Sequence, residues 1–191
     1  GVSVDIHRYP GMTDSFTLSS LQGASWPDHQ SRWSLKIAGA NPHDVIFTNH
    51  RRNSEKWGYW HGASEYEHLL QHKGAIIASY RVPDGDSYPE IHGHLPYEAD
   101  EWLTDPSVFA FDTEPDWFFL RVEGTYVAIR PLAPFRIEER MYEGPMIEDA
   151  PFAGDRYREF ISKGVLSGVI IEAARAKDWQ SLGAFADAVR N

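Results

Sequence analysis

His68-Leu69-Leu70-Gln71-His72-Lys73-Gly74-Ala75-Ile76-Ile77-Ala78-Ser79-Tyr80-Arg81-Val82-Pro83-Asp84-Gly85 is the stretch that decides the fold class. Ala75–Tyr80 is a short apolar run, closed by Pro83-Asp84-Gly85, which is turn chemistry, and its length suits a buried strand better than a helix. Polar and titratable residues crowd both sides of it, with His68, Gln71, His72 and Lys73 before and His92 and His94 after. A rigid element thus carries chemistry near its ends, where sites tend to sit.

The same reading extends outward. Val2, Val4 and Ile6 alternate with Ser3, Asp5 and His7 until Pro10-Gly11; residues 16–21 read as a second strand; Trp33, Leu35 and Ile37 alternate again. Residues 39–42 then turn the chain into Val45-Ile46-Phe47, apolar on both faces, so four strands are expected before residue 50. Downstream, residues 117–122 and 125–130 flank Glu123-Gly124 as a hairpin with Gly in the turn. Residues 137–142 and 165–174 read as later strands. Helical period appears only at the C-terminus, where Leu182, Phe185, Ala186 and Val189 share one face behind Ser181, a fitting N-cap.

Many short strands and one terminal helix predict a mainly β chain: an antiparallel, jelly-roll-like β-sandwich of ten or more strands, a single domain over residues 1–191, with a helix near 181–190. Two regions break the pattern. Residues 49–72 read as a long loop or insertion, first basic and then aromatic. Around His92 and His94, Pro89 and Pro96 break up strand pairing.

Composition narrows the function classes. Eighteen Lys and Arg against 28 Asp and Glu give a net charge of −10, which repels nucleic acid and anionic membranes, so neither is an expected partner. The absence of Cys removes disulfides, thiolate metal sites and a Cys nucleophile, and leaves an extracellular location open. No apolar run approaches the ~18 residues of a membrane span, and no charged-then-apolar leader is present. The sequence begins at Gly1 inside an alternating strand, which predicts a processed product or a piece of a larger protein. Seven Trp in an aromatic-rich chain serve either sheet packing or stacking on sugar faces.

Two constellations could carry chemistry. His92-Gly93-His94, with Glu98 four residues on, places two imidazoles at i and i+2 on one face of a strand, where they can chelate a divalent metal beside a carboxylate. With Gly85 upstream this resembles the first metal motif of cupins, although the spacing is one residue longer and no second motif follows; the other reading is a solvated loop carrying two His. The second constellation is His50-Arg51-Arg52 with Tyr59-Trp60-His61. It combines cations for a carboxylate, an imidazole and a phenol for proton transfer, and rings for stacking, as an acidic polysaccharide requires. The alternative is a solvated loop with Trp57 and Trp60 in the core. There is no Gly-Xaa-Ser-Xaa-Gly elbow, no phosphate-cradling glycine loop and no outstanding carboxylate pair.

Taken in order, residues 12–21 followed by Gln30-Ser31-Arg32-Trp33, residues 45–50, Gly58-Tyr59-Trp60, Gln71-His72-Lys73, residues 77–80, Tyr88-Pro89, residues 117–121, residues 124–131 and the terminal helix resemble the C-terminal β-sandwich part of heparinase II/III-like polysaccharide lyases and their bacterial relatives. The resemblance spans nearly the whole chain. It implies an N-terminal α/α toroid as partner domain, an anionic uronate-containing glycan as substrate, cleavage by β-elimination, and an extracellular or periplasmic setting. It further implies that the sandwich closes one wall of the cleft, with His50 as the catalytic residue carried over. The residues themselves give Arg51, Tyr59, Trp60 and His61, and His72 with them, as the expected substrate-binding set. This chain alone would then be an incomplete enzyme. The alternatives are a cupin-like protein holding a metal at His92, His94 and Glu98, and a non-catalytic carbohydrate-binding module.

Overall fold

Period-two alternation turns most of the chain into strands, and the computed structural model describes residues 5–6, 14–22, 31–39, 41, 43–50, 64–104, 110–112, 114–141 and 156–191. In order come β1 (Asp5–Ile6), β2 (Phe16–Gln22), β3 (Trp33–Ile37), β4 (Val45–His50), β5 (Glu67–His72), β6 (Ala75–Tyr80), β7 (Glu90–Pro96), β8 (Glu101–Trp102), β9 (Phe118–Val122), β10 (Thr125–Pro131), β11 (Phe135–Met141), β12 (Arg156–Lys163) and β13 (Ser167–Arg175). A 3-10 turn at Ala176–Asp178 leads to the helix α1 (Leu182–Arg190). Every pairing is antiparallel. One sheet has the order β1-β2-β3-β4-β7-β12-β11 and the other β5-β6-β13-β10-β9-β8. The fold is thus the mainly β, antiparallel sandwich with a short terminal helix that the sequence predicts.

The two sheets bury one shared core, in which Leu18, Leu35, Ile46 and Ile91 of the first face Ile76, Leu120, Val127 and Ile171 of the second. Phe118 stacks on Phe135 at 5.8 Å and Phe135 on Phe160 at 5.3 Å, so a ladder of rings crosses the interface. Each such pair contributes ~0.5–1.5 kcal/mol beyond its buried area. Ser181 Oγ accepts from the Ala184 N–H at 3.1 Å and caps α1. The helix lays Leu182, Phe185 and Ala186 on Phe119, Tyr126 and Ala128. This second cluster explains why the 118–131 hairpin is apolar on both faces.

Several elements differ from expectation, each for a local reason. The expected loop over 49–72 ends in a strand, β5, whose inward positions are Glu67, Leu69 and Gln71 while Leu70 points outward, so its alternation carries little apolar signal. Residues 51–63 lie outside the described part. The prolines do not break β7: Pro89 precedes the strand and Pro96 is its last residue, so the residues between keep their N–H donors and β7 pairs with both β4 and β12. Gly93 suits the close approach there, because a Cβ would sit tightly, 3.0 Å from Thr48 Cγ2 and 3.1 Å from the Phe47 carbonyl oxygen. His92 and His94 therefore belong to a central strand and not to a solvated loop.

No run announces β12, which places charge on both faces at Arg158 and Glu159. Val165 and Leu166 are exposed turn residues, and β13 begins only at Ser167. In the 118–131 hairpin the left-handed position falls on Glu123, at φ 51°, and not on Gly124. Ala75–Tyr80 is half-buried rather than enclosed, since Ile77 points outward and is 38% exposed.

Candidate functional site

The end of β4 fixes the first functional side chain. Ile46 and Thr48 point into the sandwich, where Thr48 Oγ1 lies 2.9 Å from the Tyr80 hydroxyl of the opposite sheet, and alternation turns His50 the same way. His50 is buried. Its Nε2 is 2.7 Å from the carbonyl oxygen of Tyr88, its Nδ1 is 3.1 Å from Ser64 Oγ, and Tyr66 meets the ring edge-on at 5.3 Å. Asp86 Oδ1 stands 3.8 Å from Nε2 and accepts from the Tyr88 N–H at 2.8 Å, so the turn after β6 presents its carboxylate toward the imidazole. Ser64 Oγ accepts from the Tyr66 N–H at 3.1 Å in the turn that leads into β5.

These segments border an open cavity of about 250 Å³ lined by His50, Ser64, Glu65, Tyr66, Asp86, Ser87 and Tyr88. His50 and Ser64 form its buried floor, while Glu65 and Ser87 are exposed. Partial burial and the carboxylates of Glu65 and Asp86 push the Tyr66 phenol up, so it is held as an O–H donor. The lining thus offers hydroxyls, an imidazole and two carboxylates, groups suited to proton transfer and to bonding a polyhydroxylated ligand.

Behind the floor, a polar network ties the sheets together. Trp33 Nε1 donates to Thr48 Oγ1 at 3.2 Å, and the Tyr80 hydroxyl lies 2.6 Å from Glu67 Oε1 and 2.8 Å from the Thr48 carbonyl oxygen. Arg32 Nη1 donates to the Glu67 carbonyl oxygen at 3.0 Å, and its Nε is 3.9 Å from Glu67 Oε2. Burial pushes the Glu67 carboxyl up to about 7, against the opposing pull of Tyr80 and Arg32. Burial and Glu67 together push the Tyr80 phenol far up.

The other sequence-derived candidates fall elsewhere. His92 and His94 share the outer face of β7, but their rings have different partners. His92 Nδ1 is 2.6 Å from Glu159 Oε1, and Arg140 Nε donates to Glu159 Oε2 at 2.5 Å. Burial raises the Glu159 carboxyl, and the bonds from His92 and Arg140 outweigh it, holding that carboxyl below the usual range. His94 Nδ1 donates to the Val45 carbonyl oxygen at 2.7 Å, and its ring is sandwiched between Phe47 at 5.4 Å and Tyr157 at 5.0 Å. Burial lowers His94 to about 4, so it is a neutral packed ring at ordinary pH.

Glu98 is exposed beyond the end of β7, and among the described residues no three His, Asp or Glu side chains are arranged to hold a metal ion. His72 lies at the far end of β5 from Ser64, roughly 20 Å of extended chain from the His50 cavity. There it lines a different cavity of about 430 Å³ with Lys73, Glu172, Arg175 and Trp179. Arg51, Tyr59, Trp60 and His61 lie outside the described residues.

Of the sequence-derived candidates, His50 alone reaches this cavity among the described residues, while Ser64, Tyr66 and Asp86 join it unannounced. Asp84-Gly85-Asp86 signals a turn, but nothing in a linear pattern places that turn against residues 64–66. In comparisons with known proteins, the chain matches no protein-family model, no curated protein and no solved structure.

Proposed function

We propose that the chain is a β-sandwich module of a carbohydrate-active enzyme of the polysaccharide lyase type. It contributes one wall of a cleft for a uronate-containing glycan, and an N-terminal α/α toroid supplies the remaining catalytic groups. The order of sequence segments described above supports this reading. The observation that carries it is His50, singled out for proton transfer by its sequence context, in the floor of a cavity it shares with the Tyr66 phenol and Asp86. β-Elimination needs a base for the proton beside the uronate carboxyl and an acid for the departing glycosidic oxygen, and an imidazole next to a phenol offers both kinds of group.

The test uses the chain together with a toroid domain and follows cleavage of uronate polymers by the ultraviolet absorbance of the unsaturated product. His50→Ala is expected to lower turnover by roughly 100-fold or more with the circular dichroism of the sandwich retained. Turnover equal to wild type would place the chemistry elsewhere. A second reading, a non-catalytic carbohydrate-binding module, is favoured by the lining itself. Glu65 and Asp86 repel an acidic sugar and accept hydrogen bonds from the hydroxyls of a neutral one. Retention of neutral glycans on an array without any turnover is the outcome that selects it.

A further inference from the structure

The floor of the same cavity contains an arrangement that β-elimination does not call for. His50 Nε2 sits 2.7 Å from the Tyr88 carbonyl oxygen. A carbonyl oxygen only accepts, so in the neutral ring Nε2 carries the proton and Nδ1 presents its lone pair. Ser64 Oγ lies 3.1 Å from Nδ1 and must donate to that lone pair. The Tyr66 N–H, 3.1 Å away, fixes the Ser64 hydroxyl from the other side. A hydroxyl bonded to an imidazole whose second nitrogen is anchored is the general pattern of nucleophile, base and orienting group. Asp86 Oδ1, 3.8 Å from Nε2, supplies negative charge where an imidazolium would form.

We infer that Ser64 and His50 form a nucleophile–base pair that hydrolyses a small, uncharged carboxylic ester carried on a sugar. The ester part of this inference rests on the hydrogen-bond geometry, and the sugar part rests on the function proposed above. Ser64 Oγ bonds to the ester carbonyl carbon while its proton passes to His50 Nδ1. The tetrahedral intermediate collapses, the C–O bond to the alcohol breaks, and the departing oxygen takes the proton from Nδ1. Water then attacks the acyl-serine and gives a proton to Nδ1; Ser64 Oγ leaves and recovers that proton. The sum is ester plus water to carboxylic acid plus alcohol.

Ser87 lines the same cavity, and its hydroxyl is the donor at hand for the oxyanion, since the Tyr66 phenol is engaged by the carboxylates of Asp86 and Glu65. A cavity of about 250 Å³ has room for a small ester group. Glu65 and Asp86 favour the uncharged ester over its acid product, which promotes release.

Ser64 also caps the turn into β5, and a purely structural role predicts no reactivity at all. The purified chain is treated with a fluorophosphonate probe and analysed by peptide mass spectrometry. A single adduct on Ser64, absent in Ser64→Ala and strongly reduced in His50→Gln, is expected. In parallel, acetate release from an acetylated glycan and methanol release from a methyl-esterified uronan distinguish an ester on a sugar hydroxyl from one on a sugar carboxyl. Either release should fall roughly 100-fold or more in Ser64→Ala. No adduct on Ser64, or ester hydrolysis unchanged in Ser64→Ala, overturns the inference.

Should Ser64→Ala fail to fold, Ser64→Cys replaces it. The chain has no other cysteine, so iodoacetamide reports on that thiol alone. Its alkylation should be faster than that of a free thiol and slowed by His50→Gln; a rate indifferent to His50 likewise overturns the pair. Neither readout involves an unsaturated sugar, so failure here leaves the elimination test standing, and the reverse.

Discussion

Glu67 and His94 are both buried, and their effects on stability run in opposite directions with pH. The Glu67 carboxyl, at about 7 in the fold against the ordinary 4.5, binds more protons folded than unfolded. Its contribution is therefore full below pH 4.5 and is lost as pH rises through 7. His94, lowered to about 4 from 6.5, binds fewer protons folded; its contribution is full above pH 6.5 and is lost as pH falls through 4. Each displacement is worth ~3 kcal/mol, so between pH 4.5 and 6.5 the two slopes nearly cancel. Glu67→Gln keeps the shape and a partner for Tyr80 beside Arg32 but removes one slope. The melting temperature of the variant minus that of wild type is expected to rise by ~6–12 °C from pH 4.5 to 7.5. A difference that stays constant with pH would show that Glu67 gains no extra proton on folding.

At the level of elements, α1 covers β9 and β10, and its two anchoring devices differ in size. Phe185 packs edge-on to Phe119 at 6.3 Å and against Trp179 at 5.3 Å, so Phe185→Ala leaves a cavity in the second cluster and is expected to cost ~3–5 kcal/mol. Ser181→Ala removes one capping bond at the exposed start of the helix and should cost ~1 kcal/mol. Urea titration of the two variants checks the ratio; equal losses would mean that the helix is held by its cap and not by its apolar face. This helix was legible because its period and cap lie within ten residues of sequence. The hairpin of β9 and β10 was legible for the same reason. β5 and β12 were not, because Glu67, Arg158 and Glu159 are accommodated by partners distant in sequence: Tyr80 and Arg32, the Trp102 ring at 5.1 Å, and His92.

Over the whole molecule, the sandwich class followed from local pattern, whereas the site did not. His50 could be chosen because it ends an apolar strand, but Ser64, Tyr66, Asp86 and Tyr88 meet it only through the pairing of β4 with β7 and of β5 with β6. His72, near the same stretch in sequence, is carried to the opposite end by the length of β5. The strand order has one more consequence, which concerns time. β13 lies between β6 and β10, and β12 lies between β7 and β11. Until residues 156–175 pair, each sheet exists as two separate pieces with open edges, apolar at β6 and β10. Synthesis from the N-terminus must therefore deliver most of the chain before either sheet can close. Refolding should be slow, in the range of milliseconds to seconds set by distant contacts, as stopped-flow fluorescence of the Trp residues can measure. The nascent chain meanwhile exposes the edges of β6 and β10, where a chaperone, or aggregation, competes with the arrival of the last strands.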